Sequence, residues 1–208
     1  MISPIRVMLA DDHALVRAGY RLLLSQFPSL AIVAEAEDTD STYHQYCACK
    51  PDVLLLDLAL PGGGGLSVLR RITLRDPQAK VLVVSMYEET LYAQRALEVG
   101  AKGYLPKSAD PKLLPEAIVQ VARGHLYLTD AMRLALSMPS CGELTRLSPR
   151  EFEIFYLAAQ GLPLKEISAR LHISYKTAAN HLTQIKCKLG AATTAELVRL
   201  AYAHKLLP

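Results

Sequence analysis

No two cysteines stand at the two-residue spacing of a zinc knuckle or a redox dithiol. Cys47, Cys49, Cys141 and Cys187 are the only four, and Cys47-x-Cys49 has no matching ligand pair elsewhere. They read as reduced structural thiols, with zinc binding or a redox switch as the less favoured alternatives. Long apolar runs are also missing. None approaches the roughly 20 residues that a membrane-spanning helix needs, so no membrane partner is expected. The opening Met1-Ile2-Ser3-Pro4-Ile5-Arg6 lacks the basic-then-apolar build of a secretory leader, and the expected location is cytoplasmic. The glycine run Gly62 to Gly65 lacks the Lys-Ser/Thr ending of a phosphate-binding P-loop and reads as a flexible turn.

An excess of one charge is absent from the whole, whose net charge is +3, but not from its parts. Residues 1–143 carry 14 Lys and Arg against 16 Asp and Glu, whereas residues 144–208 carry 9 against 4. A slightly acidic front and a basic tail suggest two modules, the second facing a polyanion. The 208 residues, 51% of them hydrophobic, are ample for one large or two small cores.

What is there is organised around Val53-Leu54-Leu55-Leu56-Asp57. Four apolar residues in a row predict a strand buried on both faces, yet the strand ends in a carboxylate before the turn at Pro61. Strands are also predicted over 5–10, 30–36, 81–85 and 103–105. Helical spacing runs over 13–27 (Leu15, Val16, Gly19, Leu22 and Leu23 on one face), 39–49, 66–74, 88–99 and 111–123. Five strands alternating with five helices predict an α/β doubly wound, five-stranded parallel sheet, flavodoxin-like, with helices on both faces. The carboxyl ends of its strands then share one edge, where Asp11, Asp12, Asp57, Ser85, Tyr104 and Lys107 collect. Carboxylates crowded there repel unless they take up protons or hold a cation. Hard oxygen donors suit Mg²⁺, and Asp57 becomes a nucleophile able to accept phosphate as an acyl phosphate, with the Ser85 hydroxyl and Lys107 ammonium neutralising charge.

On the acidic pair Asp11-Asp12, the Asp57 strand, Ser85, and the run Gly100-Ala-Lys-Gly-Tyr-Leu-Pro-Lys107, residues 5–124 resemble the receiver domain of two-component response regulators. The resemblance implies Asp57 as phosphoacceptor, Mg²⁺ held by Asp12, Asp57 and the backbone carbonyl of Ala59, and Asp11 supporting the metal. It further implies Ser85 and Lys107 on the phosphoryl oxygens, with Tyr104 turning inward on activation. One position departs from it: the usual Pro-Gly-x-(Asp or Asn)-Gly loop is Pro61-Gly62-Gly63-Gly64-Gly65. Gly64 removes a turn-stabilising side chain and predicts a mobile loop with altered phosphate turnover.

Met138 to Gly142 has the breakers of a hinge after a short helix over 129–137, placing a receiver at 1–124, a linker at 125–143 and a tail domain at 144–208. The tail is all helical. Ser148-Pro149-Arg150-Glu151 is a capping box opening a helix through Gln160. A second helix runs from Pro163 to Leu171, a third from a Ser174 cap to Leu189, and a fourth from Thr194 to Ala203. The second and third make a helix-turn-helix. Ala178, Leu182, Ile185 and Leu189 share the third helix's inner side. Its other side offers Lys176, Asn180, Thr183, Gln184 and Cys187, amide and hydroxyl groups of the kind that read base edges, flanked by Lys186 and Lys188 for the phosphate backbone.

The tail also resembles the LuxR-type output domain, on Leu147-Ser-Pro-Arg-Glu151, Gln160-Gly-Leu, Lys165-Glu-Ile167, Ile173-Ser-x-Lys-Thr177, Asn180-His-Leu and Lys188-Leu-Gly190. Together the two resemblances identify the NarL/FixJ class of response regulator. They imply double-stranded DNA contacted by Lys165, Lys176, Thr177, Ala179, Asn180, Thr183, Gln184, Lys186 and Lys188. They imply a sensor histidine kinase as partner, a homodimer paired through Leu197, Leu200 and Ala201, and no catalytic turnover of its own. Ala179, where a Lys is common, trades a charged contact for an apolar one, and Pro163 and Ala191-Ala192 also depart from the pattern. An unphosphorylated receiver is expected to mask the third tail helix or to hinder dimerisation. A phosphate-independent regulator of the same fold is the alternative. A phosphatase is disfavoured because Ala59 stands where such enzymes place a second Asp, and the basic tail argues against a phosphate sink that binds protein only.

Overall fold

The computed structural model describes residues 3–86, 90–136, 144–171, 173–204 and 206–207. Its front half alternates β1 (Ile5–Ala10), α1 (Ala14–Leu24), β2 (Leu30–Ala36), α2 (Thr39–Cys49), β3 (Val53–Leu56), α3 (Gly65–Arg75), β4 (Val81–Ser85), α4 (Thr90–Val99), β5 (Gly103–Pro106) and α5 (Leu113–Ala122). With β6 (Tyr127–Leu128), all strands pair in parallel, in the order β2-β1-β3-β4-β5-β6. The sixth strand corrects the expected five. Tyr127–Leu128 leaves the supposed linker to pair with Gly103 and Tyr104, and α6 (Asp130–Leu136) follows at once. A two-residue strand is too short to show a period, so spacing could not reveal it.

Strand alternation sorts the side chains into two layers. Val7, Leu9, Val53, Leu55, Leu82 and Val84 face α1 and α5, while Met8, Leu54, Leu56, Val81, Val83 and Tyr104 face the opposite side. On α1 the predicted apolar face is half wrong. Leu15 and Leu22 are exposed, whereas Leu24 and the Arg17 side chain are buried. Arg17 goes in because the Asp11 carbonyl, Glu35 and Glu37 all accept hydrogen bonds from its guanidinium, which removes the cost of burying the charge.

The tail folds as a 3-10 turn (Leu144–Arg146), α7 (Pro149–Ala159), α8 (Leu164–Arg170), α9 (Tyr175–Leu189) and α10 (Thr194–Ala203). The capping box holds as predicted: the Glu151 amide donates to Ser148 Oγ at 3.3 Å, and the Ser148 amide to Glu151 Oε2 at 2.7 Å. Ser174 and Thr193 cap α9 and α10, and Gly190, at φ 65, ends α9 in the left-handed conformation. The proposed hinge at Met138 to Gly142, the turn residue His172 and the start of the fourth receiver helix at Glu88 lie outside the described residues.

Tail and receiver share a core rather than merely a linker. Phe152, Phe155 and Tyr156 of α7 belong to the same apolar cluster as Leu66 and Leu69 of α3 and Tyr92 of α4. Tyr92 meets Phe152 and Tyr156 edge-on, with ring centroids 4.9 and 5.1 Å apart. Arg95 of α4 donates to the Leu144 carbonyl and lies over the Phe152 ring.

Candidate functional site

Parallel pairing brings the strand ends together. The Asp57 amide donates to the Ala10 carbonyl at 2.8 Å, and the Lys107 amide to the Ser85 carbonyl at 2.7 Å. The acids directly after β1 and β3 and the lysine after β5 therefore converge although they are up to 96 residues apart. Lys107 Nζ donates to Asp57 Oδ2 and to Asp11 Oδ2, each at 2.7 Å, and all three side chains are buried. The Ala59 amide donates to Asp57 Oδ1 at 3.2 Å.

Burial raises the Asp57 carboxyl above the usual carboxylate range, against the pull of Lys107 and with help from the Asp11 charge. Burial alone would lower the Lys107 ammonium; the two facing carboxylates outweigh it and hold the amine protonated. A carboxylate oxygen kept dry, oriented by one amide and one ammonium, is equipped to attack an electrophilic phosphorus and to have the transferred charge neutralised where it develops.

Asp12 is more exposed. His13 Nδ1 stands 2.7 Å from Asp12 Oδ1 and 3.3 Å from Asp11 Oδ1. Asp11, Asp12, His13 and Asp57 each offer a ligand atom within 4.8 Å of the others. His13 is a member that sequence reasoning passed over as the start of a helix, although its place beside the acidic pair was a usable signal. Arg17 was missed as well; its grip on the Asp11 carbonyl, at 2.6 Å, fixes the β1–α1 turn. Ser85 and Tyr104 are both fully buried. Tyr104 is already turned inward here, within the cluster that includes α7.

In the tail, Lys165, Lys176, Thr177, Asn180, Thr183 and Gln184 are exposed, as is Cys187, while Ala179 and Lys186 are half-buried. Ala178 and Ile185 are buried on the other side, packed into the domain. The face-reading of α9 therefore stands; of the two expected modes of inhibition, masking of α9 is not seen and hindered dimerisation is left. The helix's outer face is open to solvent, because docking runs through α7 and leaves α9 outside. Two further findings concern named residues. Lys188 donates to Glu151 Oε2 at 2.6 Å and so braces the start of α7, while its side chain stays 41% exposed. Leu197 and Ala201 are fully buried where α10 packs on α7, which removes them as a pairing surface and leaves only the half-buried Leu200.

Residues 7–119 match the family described as the response regulator receiver domain, and residues 145–201 the bacterial regulatory proteins of the luxR family. The chain is a two-component response regulator with a LuxR-type DNA-binding domain. The regulator is 36% identical to the oxygen regulatory protein NreC of Staphylococcus aureus, over 97% of this chain and 99% of that one. Among solved structures, a LuxR-family two-component response regulator from Aurantimonas sp. shares 38% identity over 65% of this chain and 96% of that one, with a TM-score of 0.63. RcsB of Salmonella enterica serovar Typhimurium, bound to promoter rprA in the presence of the phosphomimetic BeF3-, shares 27% over 95% and 98%, with a TM-score of 0.69. Among the described residues no helix is long and apolar enough to cross a membrane.

Proposed function

We propose that the regulator controls transcription in the cytoplasm through a phosphate taken up on Asp57. The observation that carries this reading is the buried triangle of Asp57, Asp11 and Lys107 at 2.7 Å. A structural acid would need one partner, whereas here two buried acids share a single ammonium and a third stands beside them. The donor set fits Mg²⁺: three hard carboxylates outnumber the one lysine, so a divalent cation would relieve the surplus negative charge. Asp11, Asp12, Asp57 and the Ala59 carbonyl would hold it, and it would supply charge neutralisation for phosphoryl oxygens.

A carboxylate oxygen of Asp57 attacks the phosphorus of a phosphohistidine on a sensor kinase. The new O–P bond forms as the N–P bond breaks, and the imidazole leaves with the electron pair. Lys107, released from Asp57, follows the charge onto the phosphoryl group, and Ser85 donates to it from the end of β4. Because α4 follows β4 and carries Tyr92 against α7, a pull on Ser85 and Tyr104 loosens the docked tail. Two freed tails then bind DNA as a dimer, a reading supported by the similar RcsB structure of two dimers bound to two parallel DNAs. Lys165, Lys176, Thr177, Ala179, Asn180, Thr183, Gln184 and Lys186 meet the duplex, and Leu200 with the exposed Tyr202 is what α10 retains for a second copy.

Incubation with acetyl phosphate and Mg²⁺ tests the proposal. The expected result is a phosphoryl mass gain that disappears in Asp57→Asn, together with tighter operator binding. Unchanged DNA affinity after stoichiometric modification would leave a phosphate-independent regulator as the better reading.

A further inference from the structure

The glycine that replaces the usual Asp or Asn of the phosphoacceptor loop has a neighbour in the other domain. Gly64, at φ 81, is the N-cap of α3. A Cβ at this position would lie 2.5 Å from Cδ of Glu153, and closer still to both of its carboxylate oxygens. A side chain there would have to displace the Glu153 carboxylate while the tail is docked. Glu153, on α7, is buried, and among the described residues its Oε1 has no hydrogen-bond partner. Leaving such an atom unpaired is costly, so something else must hold the carboxyl in place. On its far side Arg150 does so: Nη1 donates to Glu153 Oε2 at 2.8 Å, and Nη2 donates to the Leu171 carbonyl at 2.7 Å. Leu171 is the C-cap of α8, where the turn of the helix-turn-helix begins. At the other end, the Gly65 amide closes the loop onto the Leu58 carbonyl at 2.9 Å, next to Asp57 and its amide partner Ala59.

A line of contacts therefore runs from the residue after Asp57, through the bare Gly64 backbone, to Glu153, Arg150 and the DNA-reading turn. We propose that Gly64 and Glu153 are the sensing contact of this regulator: Glu153, a positioning residue, reads the shape of the phosphoacceptor loop, and the tail stays docked only while position 64 leaves room for its carboxylate. The claim rests on the phosphate-switch reading above and adds where that switch is read. Phosphate on Asp57 draws the Ala59 amide and the loop toward itself. Gly64 then moves against Glu153, and Arg150 passes the displacement to Leu171. The missing Asp or Asn is on this view a fitted feature rather than a decayed one.

Four full-length variants test it, read by X-ray scattering for separation of the two domains and by operator affinity without phosphodonor. Gly64→Ala should extend the chain and raise basal affinity by about tenfold, within the range of coupling energies for residues in contact. Glu153→Gln, which keeps shape and the Arg150 hydrogen bond, should remain docked. Gly64→Ala combined with Glu153→Ala should return to the wild-type radius and affinity, because the obstruction is gone. Gly64→Asp should open the chain as Gly64→Ala does. A docked Gly64→Ala protein overturns the proposal. So does a double variant as open as Gly64→Ala, since the cause is then backbone strain at a positive φ. If wild-type affinity ignores acetyl phosphate, the phosphate switch fails, but the scattering of the double variant still decides whether obstruction at this contact undocks the tail.

Discussion

Tyr92 stands edge-on to Phe152, with ring centroids 4.9 Å apart and planes inclined by 71°. One ring belongs to the receiver's fourth helix and the other to the first long helix of the tail, so the pair joins two domains that the sequence separates by a linker. Tyr156 meets Tyr92 at 88° in the same cluster. Edge-to-face pairs contribute about 0.5–1.5 kcal/mol each beyond the area they bury. The helix that a phosphate on Asp57 would move is thus the one that carries the dock.

Tyr92→Ala is expected to cost the docked state about 3 kcal/mol, the low end for truncating a buried aromatic. Phe at this position keeps both ring contacts and is expected to lose far less. Urea unfolding followed by circular dichroism checks both. The wild type, with its shared core, should unfold in one transition, and Tyr92→Ala in two.

Lys107 is the only ammonium touching Asp57 and Asp11 among the described residues, so its removal leaves two buried acids facing each other. Lys107→Met should destabilise the receiver by roughly 3–5 kcal/mol at pH 7, the cost of orphaning a buried charge. The deficit should shrink on acidification. Asp57 already has a raised carboxyl, and once Lys107 is gone it takes up a proton more readily still, ending the repulsion. Thermal melts at pH 7 and pH 5 measure this; an equal loss at both would contradict the assignment of Lys107 as the neutralising partner.

Burial pushes the Glu153 carboxyl up to about 7, despite the opposing pull of Arg150, from an ordinary value of 4.5. In this window the folded chain binds a proton that the unfolded chain has released. The contribution of Glu153 is therefore fully present below pH 4.5, is lost progressively as pH rises to about 7, and stays lost above it. The loss amounts to roughly 3 kcal/mol across the window, at 1.36 kcal/mol per unit. Glu153→Gln should flatten this part of the stability profile, measured by urea midpoints between pH 5 and 7.5. A slope that survives the substitution would belong to another group.

What could be read in advance divides by the range of the signal. Local signals were reliable: the Val53–Leu56 run, the Ser148 and Glu151 capping box and the strand-end acids all act within a few residues, and they gave the sheet, the tail helices and the site. The sixth strand at Tyr127–Leu128 was too short for a period. On α1, apolar spacing favoured Leu15 and Leu22, but a buried Arg17 with three oxygen partners took the inward position, and those partners lie just after β1 and in the stretch around β2. Leu197 and Ala201 were recognised as one face of α10, yet a helix wheel does not say whether that face meets its own domain or a second copy. Gly64 looked like a loss of order because its occupant, Glu153, is 89 residues further along. Contacts between domains leave no periodic trace in either one.

Two lysines of the tail helix α9 that look alike in sequence should respond differently to substitution. Lys176 is exposed on the outer face. If it meets a phosphate, Lys176→Ala weakens binding to all duplexes about equally and lowers the salt slope of log affinity by about one. Lys188 is tied to Glu151, whose carboxyl it holds below the usual range, against the effect of burial and together with the Ser148 hydrogen bonds. The stabilisation from that pair is present above the ordinary carboxylate range and is lost as pH falls through it. Lys188→Ala should therefore leave the salt slope alone and destabilise the tail by about 1–3 kcal/mol at pH 7, the cost of leaving a buried acceptor short of a partner. Fluorescence anisotropy on duplex DNA from 50 to 200 mM salt, set beside urea unfolding of the same two proteins, separates the cases. A salt slope lowered by Lys188→Ala with stability intact would mean that the lysine leaves Glu151 for the phosphate backbone when DNA is present.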